Sequence, residues 1–215
     1  MKKSRKELYL GVGALLSFLL WTILICFVDV QKIGPRESSV GFATFNAFVH
    51  NFTKTHLTLY VATDWLGLVP IGIMLCFAFL GLLQWIKRKD IKRVDYDLFV
   101  LGGFYIVVFA VYALFEIVTI NYRPVLINGF LEKSYPSSTT LLVLCIMPTA
   151  NMQLNTRLKN KKAKQIVTCA NLCFTAFMVL GRLISGVHWI TDIVGGILLS
   201  FGLVLIYHYV SRLKN

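Results

Sequence analysis

The sequence predicts an all-α membrane protein: a bundle of six transmembrane helices with both termini cytoplasmic and a short extracytoplasmic amphipathic helix after the first span. Of the 215 residues, 57% are hydrophobic and only 15% are charged, whereas a soluble domain carries about 25% charged residues. Several apolar runs reach the roughly 20 residues that cross ~30 Å of hydrocarbon. These runs are continuous rather than alternating, which indicates helices and not the strands of a barrel.

The predicted spans are joined by short connections, with no soluble domain or internal repeat, so residues 1–215 form a single membrane domain. The spans lie at about 9–28, 57–86, 98–121, 138–156, 166–186 and 189–211. The second is longer than one crossing, so we expect its start to lie outside the hydrocarbon core. After the first span, apolar residues between positions 40 and 49 recur at near-helical spacing, which predicts the amphipathic helix on the outer surface.

The formal charge of +12 indicates orientation rather than a nucleic acid partner. Sixteen of the 22 Lys and Arg residues fall in the two tails and in segments 87–97 and 157–165, and the tails contribute Lys2, Lys3 and Lys214 among others. Because basic loops stay on the cytoplasmic side, both termini are predicted to be cytoplasmic. The same loops suit anionic lipid headgroups as a secondary role, and this distribution argues against nucleic acid binding.

Polar residues interrupt the apolar pattern in three separate stretches. They are Glu116, Arg123 and Pro124 at the end of span 3, Ser137, Ser138 and Thr139 before span 4, and Arg182, His188 and Asp192 between spans 5 and 6. Under the predicted topology all three stretches lie at the outer face. Charged groups that point into a bundle at the membrane boundary mark a functional site, so we expect these stretches to meet.

The chemistry of these stretches suits a phosphate. Arg123 and Arg182 offer planar, permanently charged forks that match phosphoryl oxygens. Ser137 and Ser138 begin a helix, where hydroxyl groups and free backbone N–H groups favour anions. His188 and Asp192 are four residues apart, so they are predicted to share a helix face. A carboxylate that accepts from one imidazole nitrogen leaves the other nitrogen as a nucleophile or base.

These residues resemble the membrane-bound type 2 phosphatidic acid phosphatase family, which has the motifs KxxxxxxRP, PSGH and SRxxxxxHxxxD. The third motif matches as GRLISGVHWITD, with Gly181 in place of the leading Ser. The first matches at Arg123-Pro124, but Glu116 stands where the family has Lys. The second reads Pro136-Ser137-Ser138-Thr139, with Thr in place of His. The six-span layout and the motif order agree as well.

The resemblance implies a lipid phosphate phosphatase in which His188 attacks phosphorus and forms a phosphohistidine. Asp192 would orient His188, and the phosphoryl oxygens would be held by Arg123, Arg182 and the Ser137/Ser138 segment. No metal or other cofactor is implied. The substrate would be a lipid phosphate reached from the extracytoplasmic side, and the resemblance favours a bacterial plasma membrane. The sequence leaves the oligomeric state open.

Two family roles are vacant: the phosphate-binding Lys and the His that protonates the leaving oxygen. Thr139 has a hydroxyl but is no imidazolium, and general acid catalysis contributes typically ~10²–10⁴ in rate. Its loss matters less when the leaving group is itself a phosphate, whose conjugate acid has a pKa near ~6. We therefore expect a diphosphate lipid, such as a polyprenyl diphosphate of the undecaprenyl type, to suit the site best.

Glu116 admits two interpretations. It could pair with Arg123 or Arg182, or, buried with a raised pKa, it could supply the missing proton. The vacancies also leave open a non-catalytic relative that binds or moves a phosphorylated lipid with the same arginines. A channel or ion transporter is disfavoured, because the spans contain no filter loop and no chain of acidic residues.

Overall fold

The computed structural model describes residues 2–213, and within them eight α-helices. Their bounds are α1 Lys2–Phe27, α2 Ala43–Thr53, α3 Leu57–Leu66, α4 Leu68–Arg88, α5 Tyr96–Ile117, α6 Ser138–Arg157, α7 Lys161–Ile184 and α8 Ile190–Ser211. The predicted cytoplasmic residue Lys214 lies outside the described residues, as do the side chains of Lys2 and Lys3.

Within residues 2–213, five helical segments are long and apolar enough to cross a membrane. They are Arg5–Phe27, Leu57–Arg88, Tyr96–Ile117, Lys161–Ile184 and Ile190–Ser211. Helix α6 corresponds to the predicted span 138–156 and has a similar length, but its composition is more polar. The all-helical membrane fold is therefore confirmed for the described residues, with five candidate spans rather than six.

Helix α6 is polar because it lies inside the bundle rather than against lipid. It packs against α4, α5, α7 and α8, and its buried side chains include Thr149 and Gln153. Thr149 contacts the hydroxyl of Tyr105 at 3.2 Å, and the amide of Gln153 donates to the hydroxyl of Tyr207 at 2.9 Å. A helix surrounded by other helices can carry such groups once each has a partner.

The predicted second span, 57–86, is two helices. Helix α3 ends at Leu66, and α4 begins at Leu68 after Gly67. Pro70 lacks the N–H that would bond to the carbonyl of Leu66, so the hydrogen-bond ladder is interrupted at this point. Helix α3 is therefore a separate ten-residue segment. It packs against α7 near the end of α7, next to the site.

The chain after α5 forms a short hairpin that the span boundaries did not predict. Helix α5 ends at Ile117, four residues earlier than expected. Two antiparallel bridges follow, at Tyr122–Lys133 and Ile127–Phe130. The turn between them is Asn128-Gly129, with φ of 50° and 80°, and Asn-Gly is the residue pair that favours positive φ in a two-residue hairpin turn.

A helix is present where the amphipathic helix was predicted after the first span: it is α2, Ala43–Thr53. It is tied to the start of α8, because Asn46 Nδ2 donates to Thr191 Oγ1 at 3.0 Å. The same end of the bundle holds the hairpin and the turn between α7 and α8, and we call it the site end. The opposite end carries the basic segment after α4. There His208 contacts Glu7 at 3.0 Å and Arg157 pairs with Asp97 at 2.9 Å.

Helix α7 begins at Lys161, five residues before the predicted start of the fifth span. The reason is the side chain of Asn160, whose Oδ1 accepts from the backbone N–H of Lys162 at 2.9 Å and of Ala163 at 3.3 Å. This N-cap satisfies two of the otherwise unpaired N–H groups of the first turn. It extends the helix through basic residues that the hydrophobic pattern assigned to the connecting segment.

Candidate active site

Four structural elements meet at the site end: the end of α7, the turn between α7 and α8, the hairpin after α5, and α3. The turn contributes His188 and is followed by Asp192 in the first turn of α8. The hairpin contributes Arg123 and Ser134, and α7 contributes Arg182. The structure therefore brings together the arginines, the histidine and the aspartate predicted from sequence.

His188 is buried, with a relative exposure of 3%. Its Nε2 atom lies 3.4 Å from Nη1 of Arg123 and 3.3 Å from Nη2 of Arg182. Burial, followed by the positive charge of these two guanidinium groups, lowers the pKa of His188 well below its ordinary value. The ring is therefore neutral at neutral pH. Because guanidinium nitrogens can only donate, Nε2 faces them with a lone pair.

The prediction that His188 and Asp192 share a helix face was wrong. His188 precedes α8, whose N-cap is Trp189, and only Asp192 lies in the helix. Asp192 Oδ2 accepts from the backbone N–H of Trp189 at 2.9 Å, as a residue at the third helical position does in a capping box. His188 Nδ1 and Asp192 Oδ2 are 3.8 Å apart, too far for a direct hydrogen bond.

Ser134 occupies the space between the histidine and the aspartate. Its Oγ atom lies 3.0 Å from Nδ1 of His188 and donates to Oδ2 of Asp192. Ser134 is 3% exposed. The sequence reasoning missed this residue, although it lies two positions before Pro136 in the stretch that was singled out. Its signal is a small hydroxyl residue next to the predicted anion-binding serines, which composition alone does not distinguish from a turn residue.

The two arginines are buried, at 8% exposure for Arg123 and 1% for Arg182. Arg123 Nε lies 3.0 Å from a carboxylate oxygen of Glu132, and Arg182 Nη1 lies 3.5 Å from one of Asp64. Both carboxylates are about half exposed. Arg123 Nε and Glu132 form an ion pair without a hydrogen bond, and within residues 2–213 the Nε–H of each arginine has no hydrogen-bond partner.

Tyr60 of α3 is a further residue that the sequence reasoning missed. The guanidinium carbon of Arg182 lies 4.9 Å from the centroid of its ring, and that of Arg123 lies 5.6 Å away. Both distances are within the range of a cation–π interaction. Tyr60 carries no recognisable sequence signal, because it stands among apolar residues at the start of a helix.

The predicted serines and Thr139 have different surroundings. A cavity of about 280 Å³ at the site end is lined by Tyr112, Phe115, Glu116, Arg123, Glu132, Lys133, Ser134, Tyr135, Pro136, Ser138, Leu141 and His188. Ser138 is part of this lining, whereas Ser137 and Thr139 are not. Ser137 is fully buried, its Oγ accepts from Thr140 Oγ1 at 3.0 Å, and its backbone N–H donates to the carbonyl of Asp192 at 3.1 Å.

The structure contradicts both interpretations of Glu116, the pair with an arginine and the buried proton donor. Its side chain is exposed rather than buried, and the carboxylates paired with Arg123 and Arg182 are those of Glu132 and Asp64. Glu116 instead interacts with Tyr112, one turn earlier on α5. Lys133 from the hairpin lies beside it, with Nζ donating to the carbonyl of Glu116 and, at 3.0 Å, to that of Ile117. Lys133 therefore places an ammonium group beside Glu116, the residue that stands where the family motif has Lys.

Among residues 2–213 no three His, Cys, Asp or Glu side chains are grouped so that they could hold a metal ion.

The fold and the site define an integral membrane protein with a neutral, buried histidine facing two arginines that have unpaired donors. The sequence model of the PAP2 superfamily matches residues 37–215, so this chain belongs to the PAP2 superfamily. The family resemblance seen in the sequence is thereby confirmed. Membership supports lipid phosphate hydrolysis at a membrane in general terms.

A solved structure supports the fold. The chain is similar to the transmembrane PAP2-type phosphatidylglycerolphosphate phosphatase of Bacillus subtilis, with a TM-score of 0.56 and 19% sequence identity. The match covers 93% of this chain and 94% of that chain. At this identity the likeness concerns the fold alone. Among curated proteins no sequence matches this chain.

Proposed function

We propose that this protein hydrolyses a lipid phosphate or diphosphate through a phosphohistidine at Nε2 of His188. The observation that carries the proposal is the pair of buried guanidinium groups within 3.4 Å of Nε2. The Nε–H of each makes no hydrogen bond, although Nε of Arg123 is ion-paired with Glu132 at 3.0 Å. An unpaired donor buried in protein is costly. A phosphoryl group bound between Arg123 and Arg182 supplies the missing acceptors and brings phosphorus to the lone pair of Nε2.

The proposed reaction has two displacement steps. In the first, the Nε2 lone pair of His188 forms a bond to phosphorus, and the bond from phosphorus to the leaving oxygen breaks with its electron pair on that oxygen. In the second, a water oxygen attacks phosphorus and releases a proton to bulk solvent, the N–P bond breaks, and its electron pair returns to Nε2. Arg123 and Arg182 bind the phosphoryl oxygens in both steps, where they stabilise the charge of the transition state.

The cavity favours a diphosphate lipid over a simple phosphatidic acid. His188 is the only histidine in the described cavity lining, and Thr139 is not part of that lining, so no second imidazole is placed there to protonate an alkoxide. A leaving phosphate needs no such proton, because its second pKa is near ~6. The ammonium group of Lys133 lines the same cavity and suits the charge of a second phosphate.

The cavity also contains apolar side chains that suit the start of a lipid tail. Phe115 of α5 and Leu141 of α6 line it beside the charged groups. A headgroup bound at His188 would therefore lie next to an apolar wall between these two helices. We propose a polyprenyl diphosphate of the undecaprenyl type as the substrate.

The proposal includes a topology. Helix α6 crosses the membrane as a sixth span shielded by its neighbours, both termini are cytoplasmic, and the site end faces the outside of a bacterial plasma membrane. The excess of Lys and Arg at the opposite end supports this orientation. Single cysteines introduced at Gly129 and at Lys89 in a cysteine-free background test it. An impermeant thiol reagent added to intact cells should label the first and spare the second, and the reverse pattern would exclude this orientation.

Turnover of a lipid phosphate panel by purified protein tests the activity. We expect wild type to release phosphate and His188→Ala to lose more than roughly a thousandfold, as removal of a covalent nucleophile does in other enzymes. His208→Gln is the matched control, because His208 pairs with Glu7 at the opposite end. Phosphate release that persists in His188→Ala excludes His188 as the nucleophile. Wild type that binds the lipids and releases no phosphate would instead support the non-catalytic binding protein.

The substrate preference is tested separately. Rates on a polyprenyl diphosphate and on a phosphatidic acid are measured with the same preparation, and the diphosphate is expected to react faster. Lys133→Met should reduce that preference, because it removes the cation proposed to bind the second phosphate. Equal rates or the reverse order with wild type would contradict the diphosphate preference and leave the phosphatase proposal itself standing.

A further inference from the structure

We infer that Ser134 is a positioning residue for the reaction. Its hydroxyl links the Asp192 carboxylate to Nδ1 of His188 through two hydrogen bonds, a relay that keeps the hydrogen on Nδ1 and the lone pair on Nε2. This inference rests on the proposed phosphatase function, in which Nε2 is the nucleophile. The relay replaces the direct His–Asp contact expected from the sequence. Two observations support the relay: Nδ1 and Oδ2 are 3.8 Å apart, and the Ser134 oxygen lies between them.

The direction of each hydrogen bond follows from counting donors. The Asp192 carboxylate is contacted by three donors: Asn121 Nδ2 at 3.3 Å, the Trp189 backbone N–H at 2.9 Å, and the Ser134 hydroxyl. A carboxylate surrounded in this way is an ionised acceptor. The single hydroxyl hydrogen of Ser134 is therefore directed to Asp192, and its contact with His188 requires Nδ1–H as the donor.

The other side of the ring leads to the same tautomer independently. Nε2 faces two guanidinium nitrogens that can only donate, Nη1 of Arg123 and Nη2 of Arg182. A hydrogen on Nε2 would point at positively charged donors, whereas a lone pair accepts from them. Nδ1 protonated and Nε2 unprotonated is thus the arrangement that satisfies the contacts at both ring nitrogens.

The hairpin fixes the relay in place. The backbone N–H of Ser134 donates to the carbonyl of Asn121 at 3.0 Å, and the side chain of Asn121 reaches Asp192. The backbone N–H of Arg123 donates to the carbonyl of Glu132 at 3.0 Å. One short element therefore carries both a phosphate-binding arginine and the relay hydroxyl, and it sets their distance from His188.

Ser134 supports the chemistry in the first displacement. When Nε2 bonds to phosphorus, the imidazole becomes positively charged and Nδ1–H becomes a stronger donor. Ser134 accepts this hydrogen bond while donating to Asp192, so the carboxylate stabilises the cation through the hydroxyl. No proton needs to move along the relay. Without the hydroxyl, the ring keeps its backbone contact with Ser134 but loses the hydrogen-bonded link to Asp192.

Kinetics of Ser134→Ala test the relay. We expect kcat to fall about 10- to 100-fold, as loss of residues that orient a reactive group commonly does, with KM changed less than about threefold because the arginines remain. Ser200→Ala is the matched control: Ser200 is also a buried serine, 1% exposed, but its hydroxyl contacts the backbone carbonyls of Gly196 and Leu141 and not His188 or Asp192. Its kcat should be unchanged. Full kcat in Ser134→Ala would overturn the inference.

A double-mutant cycle separates a relay from a merely structural role. If Asp192 acts on His188 through Ser134, then Asp192→Asn should reduce kcat much less in the Ser134→Ala background than in wild type. Ser134→Thr keeps the hydroxyl and should recover most of the activity. Independent, multiplicative effects of the two substitutions, or Thr no better than Ala in a protein that remains folded, would contradict the relay.

The tautomer provides a readout that needs no turnover. In ¹⁵N-histidine-labelled protein, with the signal of His188 assigned by its loss in His188→Ala, the inference requires a protonated Nδ1 and an unprotonated Nε2 at neutral pH. The opposite tautomer in wild type would overturn it even if the enzyme were active. The expected tautomer in a protein that releases no phosphate would retain the relay geometry and reject the phosphatase function instead.

Discussion

The guanidinium group of Arg182 lies over the ring of Tyr60, with its central carbon 4.9 Å from the ring centroid. The same ring lies 5.6 Å from the guanidinium carbon of Arg123. Two like charges that flank one histidine repel each other, and the electron-rich face of an aromatic ring offsets part of that cost. Helix α3 thus contributes to the site although none of its residues belongs to a recognised motif.

This cation–π contact predicts different results for two substitutions of Tyr60. Tyr60→Phe keeps the ring and should retain kcat/KM within about threefold, whereas Tyr60→Leu removes it. A cation–π contact contributes roughly 0.5–2 kcal/mol, which corresponds to about a 2- to 30-fold lower kcat/KM, mainly through a higher KM. Steady-state kinetics on one lipid phosphate measure this effect. Leu and Phe variants that behave alike would show that the ring has no such role.

Gly181, where the family motif has Ser, is explained by packing against α3. A Cβ atom at this position would lie 2.7 Å from the Thr63 Cγ2 methyl, and Thr63 is itself held by hydrogen bonds from its hydroxyl to the carbonyls of Leu59 and Tyr60. Restoring the family serine should therefore harm the protein. We expect Gly181→Ser to destabilise it by about 1–3 kcal/mol, as overpacking does, and to lower activity by displacing α3.

A second substitution should rescue this variant. Thr63→Ser removes the obstructing methyl and keeps the hydroxyl, so Gly181→Ser with Thr63→Ser should recover thermal stability and turnover. Gly72→Ser in α4 is the control, because a Cβ there meets no atom within 4 Å. The explanation fails if Gly181→Ser alone is as stable and active as wild type, or if the second substitution brings no recovery.

The sequence predicted the helical membrane fold because hydrocarbon imposes a length and an apolar composition that are visible residue by residue. It failed where other helices, rather than lipid, surround a segment. Helix α6 is too polar to qualify as a span by composition, since Thr149 and Gln153 have partners inside the bundle. The break at Gly67 lies within one continuous apolar run, and only Pro70 marks it.

The site was predicted in outline because Arg182, His188 and Asp192 keep a recognisable spacing in an apolar context. The connections between these residues were not predictable from spacing. Ser134 reaches the histidine because the Asn128-Gly129 turn folds the hairpin back. The apolar pattern used to place the spans does not reveal this turn. Glu116 was linked to the arginines by its place in a motif, yet α5 ends at Ile117 and leaves its side chain exposed.

The lowered pKa of His188 predicts how activity depends on pH. The nucleophile must be neutral, and an ordinary histidine becomes protonated below about pH 6.5. Because burial and the two arginines lower the pKa of His188, the free enzyme should remain competent through that range. The acid limb of kcat/KM, which reports groups of the free enzyme, should therefore lie clearly below pH 6.5. An acid limb at or above pH 6.5 that is unaffected by substrate ionisation would contradict the assignment.

Gly186 predicts the most severe effect of a single methyl group. Its φ is +65°, and a Cβ would lie 1.7 Å from the carbonyl oxygen of Lys54, where the segment before α3 crosses the turn that leads to His188. Gly186→Ala should therefore separate these backbones, lower the melting temperature strongly and abolish turnover.

Gly129→Ala is the matched control, because Gly129 also has positive φ, at +80°, but its Cβ would meet no atom within 4 Å. That variant should show only the roughly 1–2 kcal/mol cost of the left-handed conformation and remain active. Similar losses in the two variants would mean that backbone conformation, and not the close approach to Lys54, explains the glycine.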